Sequence, residues 1–404
     1  MKVGPYTLTR HAFTTSFRTL LDAQAIRRDG IPRLDGGTPN DVARLVLRRN
    51  AGAILRAGEG HFHAMWVADT GKAFNGAREA LSVEYLAGLL SRVVRTSARV
   101  GRVPTCFTPK GWHDLPWPRA DGLPWLLHMV DRLDDPAFVA DHHRDLQKAW
   151  DDWRAAHLDP TTGLIREEVT GDWMDTVPRP SSTYNNLMGL RAAQAARRLD
   201  LAGEGPDEKA LLASRWTGAH LRDHARSGDY LSADANVPAL YHGLLPRHVR
   251  RRIATSLETS LLATPIGMRT REGAYTRDEF PLATRLAPAY HSTRWLHWGL
   301  MHVIGLQRND LPWQHQLTPI RRLTSALGNF IETLDDEGRP FATPWIATEH
   351  GFTMSAGLYL EATSPSDLPI PSPQDAVTAP ASHQQAYLPE PGSLPAPLQE
   401  PPAQ

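Results

Sequence analysis

The chain has 404 residues, 41% of them hydrophobic, enough to bury a sizeable core in one large domain or two average ones. Lysine plus arginine and aspartate plus glutamate both total 44, so the formal charge is zero, the pI is about 7.4, and no global field draws the protein to nucleic acid or an anionic membrane. The single cysteine, Cys106, excludes an intrachain disulfide and a multi-cysteine metal site, and no stretch approaches the roughly 18–20 apolar residues of a membrane span.

The N-terminal run MKVGPYTLTRHAFTTSF lacks the apolar core of a signal peptide, so a soluble, cytoplasmic protein is expected. Residues 1–38, with Tyr6, Leu8, Phe13 and Phe17, read as one or two short strands or an irregular lead-in that turns through DGIPRLDGGTP. Asn40 and Asp41 then cap a helix carrying Val42, Leu45, Val46 and Leu47. Helical patterns follow near 39–57, 76–98, 122–133, 136–157, 183–199, 207–225, 234–243, 246–262, 289–306, 316–334 and 352–362. No strand-length run rich in Val, Ile and Thr recurs between them, which excludes a parallel sheet with crossover helices. The expectation is an all-α domain over 39–362, a toroid of helix pairs with a polar, aromatic-lined cup where the loops gather. Residues 363–404 are rich in Pro, Ser, Ala and Gln and read as a disordered tail.

The chemistry concentrates in the stretch from Arg166 to Ala192, where GDWMDT places Asp172 and Asp175 on either side of Trp173 and Met174. A carboxyl beside an aromatic wall has its charged form desolvated, which raises its pKa toward that of a general acid; equally, two aspartates in a loop can be turn-formers that bond local amides. Ser181, Ser182 and Thr183 offer N-cap oxygens to the helix that follows. Four further segments repeat the theme of a polar group at a helix entry. WVAD carries Trp66 and Asp69, DGLPW carries Asp121 and Trp125, SADAN carries Asp234 and Asn236, and PWIATEHGF carries Trp345 and Glu349. Each acid is explained equally well as a cap or as a favourable charge at a helix N-terminus. An ionised aspartate such as Asp69 accepts two sugar hydroxyls at once, and two distant carboxylates that converge suit a hydrolase. The 18 histidines show no HExxH or comparable ligand spacing, and there is no Gly-rich phosphate loop or GxSxG elbow, so no metal and no cofactor are expected.

Taken in order, these segments resemble the six-hairpin (α/α)6 toroid glycosidases, nearest the amylo-α-1,6-glucosidase domain of glycogen debranching enzymes and more distantly glucoamylases. The resemblance runs over roughly residues 60–362. It implies an inverting, exo-acting hydrolase releasing glucose from α-glucosides, with Asp175 of the W-M-D segment as general acid and Glu349 of TEHGFTMSAGLYL as base. Trp66, Asp69, Asp121, Trp125, Asp172, Trp173, Asn185, Asn236, Arg294, Trp295 and Trp345 become the substrate-binding set, and the partner is an oligosaccharide. The competing readings are a sugar epimerase or lyase on the same scaffold, using His297 or Tyr290, and a non-catalytic carbohydrate-binding protein.

Overall fold

A computed structural model describes residues 5–114, 119–174, 177–263, 266–280 and 288–364, with the backbone alone at 5–16, Arg277 and Pro288. Of the expected Pro-rich tail, 363–404, Thr363 ends a helix, and residues 365–404 lie outside the described residues, as does the expected acid Asp175. In chain order the elements are α1 (Pro5–Asp29), α2 (Pro39–Asn50), β1 (Met65–Trp66), α3 (Val67–Ala77), α4 (Val83–Val100), β2 (Cys106–Thr108), β3 (Gly111–His113), α5 (Gly122–Leu133), α6 (Pro136–His157), α7 (Thr183–Arg198), α8 (Glu208–Arg215), α9 (Val237–Tyr241), α10 (Arg247–Thr259), β4 (Met268–Arg269), α11 (Pro288–His291), β5 (Arg294–Trp295), α12 (Leu296–Arg308), α13 (Gln314–Leu327), β6 (Thr333–Leu334) and α14 (Thr353–Thr363). The strands form two small antiparallel sheets, β1-β2-β3 and β4-β5-β6, so the described chain is dominated by helix.

Local chemistry explains most of the boundaries. Thr38, not Asn40, caps α2: its hydroxyl and the Asp41 carboxylate exchange hydrogen bonds with each other's amides, with Pro39 in the first turn. Ser82, Asp135, Ser182 and Asp207 cap α4, α6, α7 and α8, each side chain accepting backbone amides of the first turn. Two expectations are corrected. The strand-like lead-in is the helix α1, because the apolar positions that pack, Ala23 and Ile26, are one turn apart and not alternate. The helix expected near 76–98 is divided: α3 begins at Val67 and ends at Ala77, and a separate α4 begins at Val83.

That early start was hidden by small residues, and their use is packing. A Cβ at Gly76 would lie 1.9 Å from the Gly357 carbonyl oxygen, and one at Gly357 would lie 2.5 Å from the Ala73 carbonyl oxygen. Glycine therefore lets the backbones of α3 and α14 touch, and both helices are buried on nearly every face. From there the packing is cyclic: α3 lies against α5, α5 against α7, α7 against α9, α9 against α12, α12 against α14, and α14 against α3. Outside this cycle α2 packs on α14, α4 and α6 on α5, α8 on α7, α10 on α9 and α13 on α12. One continuous apolar core runs from Leu34 to Ala362. α1 belongs to a separate small cluster, in which Ala23 and Ile26 meet Ala347 with Ile31 and Ala342 packed against them.

Candidate active site

The six inner helices place their N-terminal ends next to the residues singled out from sequence. Trp66 precedes α3 and Asp69 lies in its first turn; Asp121 precedes α5; Ser182 caps α7; Asn236 precedes α9; Trp295 precedes α12; and Glu349 lies four residues before α14. The partial positive charge of an α-helix N-terminus favours carboxylates there.

Glu349 is fully buried, and backbone amides wrap its carboxylate. The N–H groups of Gly60, His61 and Phe62 donate to it at 2.6, 2.8 and 2.7 Å, and that of His350 at 3.0 Å. A Cβ at Gly58 would lie 2.4 Å from its Cδ, so the loop must be glycine where it closes on the acid. His61 Nδ1 is 3.4 Å from Glu349 Oε2 and 3.3 Å from Oδ2 of Asp22 on α1. Burial works against the His61 charge, but Glu349 and Asp22 outweigh it and lift the imidazole above its ordinary pKa. Through these bonds Glu349, the expected base, ties the 58–62 loop to the start of α14.

The acid that sequence reading missed is Glu332. Tyr290 Oη donates to its Oε2 at 2.5 Å, and its own amide donates to the Glu349 carbonyl at 3.0 Å. Burial pushes the Glu332 carboxyl up to about 8; the Tyr290 bond and His61 pull the other way, and Glu349 and Asp69 add repulsion. Burial likewise raises Asp69, against the pull of Lys72 and Arg119. Aromatic rings link this acid to the mid-chain segment. Tyr290 lies 5.1 Å from Trp295, which stands edge-on to Trp173 at 5.3 Å, and Trp173 is two residues from Asp175. His297 sits among Trp173, Trp295 and Trp298 at 5.7, 5.4 and 4.9 Å, with neither ring nitrogen hydrogen-bonded, and burial holds it neutral.

Beneath the Trp173 loop, the buried guanidinium of Arg179 gathers three carboxylates. It meets Asp172 at 2.7 Å and Asp223 at 2.8 Å, and it also bonds Asp234. Trp173 Nε1 donates to Asp234 at 2.7 Å, so this network fixes the indole. Burial pushes Asp223 up to about 6 and raises Asp172, in each case against Arg179. Asp172 is thus a loop anchor, its Oδ1 accepting the Met174 amide at 2.9 Å.

The other expected contacts divide. Asp121 takes a two-pronged bond from Arg119 at 3.0 and 2.9 Å and faces Tyr184 at 3.3 Å. Trp125 is fully buried, its indole donating to Tyr184 at 2.9 Å, so it offers no face to a sugar. Asn185 Nδ2 donates to the Gly171 carbonyl, and Asn236 bonds the Leu221 amide and the Leu221 and Ser232 carbonyls, so both amides brace loops. Arg294 reaches the Leu262 carbonyl at 3.0 Å, while its β5 neighbour Trp295 joins the aromatic cluster. Trp345 is 74% exposed on a turn. Among the described residues the atoms of Asp22, His61 and Glu349 lie close enough to share a metal ion, but amide donors already fill the Glu349 oxygens, which disfavours a cation.

The sequence matches no protein-family model and no curated protein. Solved structures do resemble it. A mannosylglycerate hydrolase from Thermus thermophilus has 14% sequence identity and a TM-score of 0.56, over 80% of this chain and 100% of its own. A wild-type glycosidase gives 14% and 0.57, over 80% and 95%. A rhamnosidase from Klebsiella oxytoca with rhamnose bound gives 15% and 0.52, over 82% and 64%. At such identities the likeness is one of fold. No helix of the described residues is long and apolar enough to cross a membrane.

Proposed function

We propose that the protein is a glycoside hydrolase built as a six-hairpin (α/α)6 toroid, cleaving a terminal sugar with inversion. The observation that carries this reading is the gathering of Asp69, Asp121, Asp234 and Glu349 at the amino ends of cyclically packed helices, with a chain of rings running from Tyr290, the partner of Glu332, through Trp295 to the Trp173 loop. In this reading Asp175 protonates the glycosidic oxygen as the C–O bond breaks, and a second carboxylate takes a proton from the attacking water. Glu332 is our candidate for the second role, ahead of the amide-wrapped Glu349; its raised carboxyl is ionised, and so able to accept that proton, only toward pH 8, where turnover should rise. Asp69 grips hydroxyls of the terminal sugar, while Trp66, Trp173 and Trp295 supply apolar faces, each stacking contact contributing on the order of 1 kcal/mol. Short glycosides are the favoured substrates, with α-glucosides first.

The test is a panel of aryl glycosides, short α-glucans, mannosylglycerate and rhamnosides, with proton NMR of the anomer first released. Release of the inverted anomer from one of these is the expected result; retention of configuration, or no cleavage of any, defeats the proposal. A second reading, isomerisation or elimination of a sugar, is favoured by the neutral His297 with its two unbonded nitrogens. An isomerised or unsaturated product lost in His297→Ala would select it.

A further inference from the structure

We propose that Tyr290 is a positioning residue of the site: its hydroxyl holds one carboxylate oxygen of Glu332 and leaves the other to the water that attacks the sugar. The role of Glu332 rests on the hydrolase reading; the hydrogen bond between the two side chains does not.

The backbone sets the two groups opposite each other. Tyr290 lies on α11, and its carbonyl accepts the Thr293 amide at 3.2 Å and the Thr293 hydroxyl at 2.5 Å, which fixes the turn into β5. β5 pairs with β6, and Glu332 stands directly before β6, its carbonyl accepting the Leu296 amide at 3.0 Å. The Glu332 amide meets the Glu349 carbonyl at 3.0 Å and Thr348 Oγ1 at 3.2 Å. Trp295 at 5.1 Å and Phe341 at 6.1 Å pack around the phenol ring. Two segments 42 residues apart are each fixed by their own bonds, and Tyr290 Oη then reaches Glu332 Oε2 at 2.5 Å.

The two oxygens of Glu332 therefore differ. Oε2 takes the hydroxyl, and among the described residues no group donates to Oε1. At Glu349, by contrast, backbone amides occupy both oxygens. Burial and the nearby Glu332 lift the Tyr290 hydroxyl well above its ordinary pKa, so it keeps its proton and acts as a donor. A donor on a carboxylate favours the charged form, the form that can take a proton from water. The other groups around Glu332 are His61 of the 58–62 loop, which also favours its charge, and Glu349 and Asp69 on α3, which oppose it. His61 is itself divided between Asp22 on α1 at 3.3 Å and Glu349 at 3.4 Å. Of these groups, Tyr290 is the one that bonds the carboxylate.

The experiment compares Tyr290→Phe, which removes the donor and keeps the ring, with Tyr290→meta-fluorotyrosine, a more acidic phenol of nearly the same shape. Carboxyl infrared absorption is followed against pH on the sugar-free protein, the Glu332 band being the one absent from Glu332→Gln. In Tyr290→Phe the band of the protonated carboxyl should persist to a pH higher by about one unit. In the fluorotyrosine protein it should vanish at a lower pH than in wild type. On a short glycoside that the wild type cleaves, kcat of Tyr290→Phe should fall about 10-fold at about pH 7 and less at about pH 9, with KM within about twofold. An unmoved Glu332 band overturns the proposal, and so does a Tyr290→Phe protein that melts earlier yet keeps the wild-type pH profile of kcat. If Tyr290→Phe does not fold, the fluorotyrosine protein decides alone, by whether its band and its kcat profile move to lower pH. Bands that move in a protein whose wild type cleaves no glycoside uphold the Tyr290–Glu332 relation and overturn the hydrolase reading.

Discussion

The two ends of the inner helices carry opposite charge and use it differently. At the amino ends stand Asp69, Asp121, Asp234 and Glu349, with Glu332 beside them; at the carboxyl ends stand Arg132 on α5, Arg198 on α7 and Arg308 on α12, with Arg191 midway along α7. The helix dipole favours both arrangements. The difference lies in the matching. At the carboxyl end the few acids are outnumbered: Asp131 sits between Arg191 at 2.5 Å and Arg198 at 2.6 Å, and Glu361 accepts from Arg308, Tyr241 and Asn75. Asp131 is held below its ordinary pKa in spite of burial, while His128 and His242 are kept neutral by burial and the surrounding arginines. At the amino end three acids share Arg179, and Glu332 has a tyrosine for its partner, so Asp172, Asp223 and Glu332 are all raised. Matched charges fasten the helices together. Acids left in excess hold protons.

The sharpest way to break this contrast is Arg179→Met, which leaves Asp172, Asp223 and Asp234 buried without their cation. A loss of about 3–5 kcal/mol is expected in denaturant unfolding. Glu332→Gln comes next: it keeps the shape and removes the proton acceptor, so turnover should fall ~10²–10³-fold, about 3–4 kcal/mol of barrier, with Tm nearly unchanged. Near-normal turnover would return the base role to another carboxylate. Glu349→Gln should behave in the opposite sense, losing stability first, because an amide NH₂ would face backbone donors. At the other end, Arg191→Met leaves Asp131 its Arg198 partner and should cost only about 2 kcal/mol, with turnover on a short glycoside intact.

Much of the helical scaffold was legible because caps and apolar periodicity are local. Asp135 with Pro136 marks the start of α6, and the run from Gly122 to Leu133 is helix as read. What escaped reading depends on partners far along the chain. α3 is rich in Gly and Ala, which resembles a loop until α14 is laid against it. Glu332 carries no cap signal, and its raised proton affinity comes from a buried site shared with Tyr290, 42 residues earlier. Glu349 was conspicuous for its place before the last helix, yet the loop around Gly58 and Gly60 seals it. Trp125, Asn185 and Asn236 were rightly sensed as neighbours of the inner helix starts, but their polar atoms brace protein.

A gentler test uses pH. The Glu332 carboxyl rises from its ordinary 4.5 to about 8 on folding, so the native state binds a proton that the unfolded chain releases first. Its contribution is complete below about pH 4.5 and is lost as pH climbs toward 8, the reverse of an ordinary salt-bridged acid. Unfolding free energy should therefore decline across that window, and Glu332→Gln should flatten the decline. Asp223, raised to about 6, adds a shallower fall at the acidic side of the same window, which Glu332→Gln leaves in place.

The smallest effect is expected at Trp345. Its amide and that of Ile346 donate to Thr343 Oγ1 at 3.3 and 3.0 Å, so the turn is self-supporting and the indole stands 74% exposed. Trp345→Ala should change stability by less than about 0.5 kcal/mol, since nothing packs around it that a cavity would disturb. Hydrolysis of a short glycoside should likewise stay within about twofold, well under the ~1.4 kcal/mol that a tenfold change represents. A tenfold loss on that substrate would mean that the turn folds inward when sugar binds. Glu332 and Asp69 would then work under an aromatic cover that forms only with ligand, and the excess of acid at the amino end would be a property of the empty site alone.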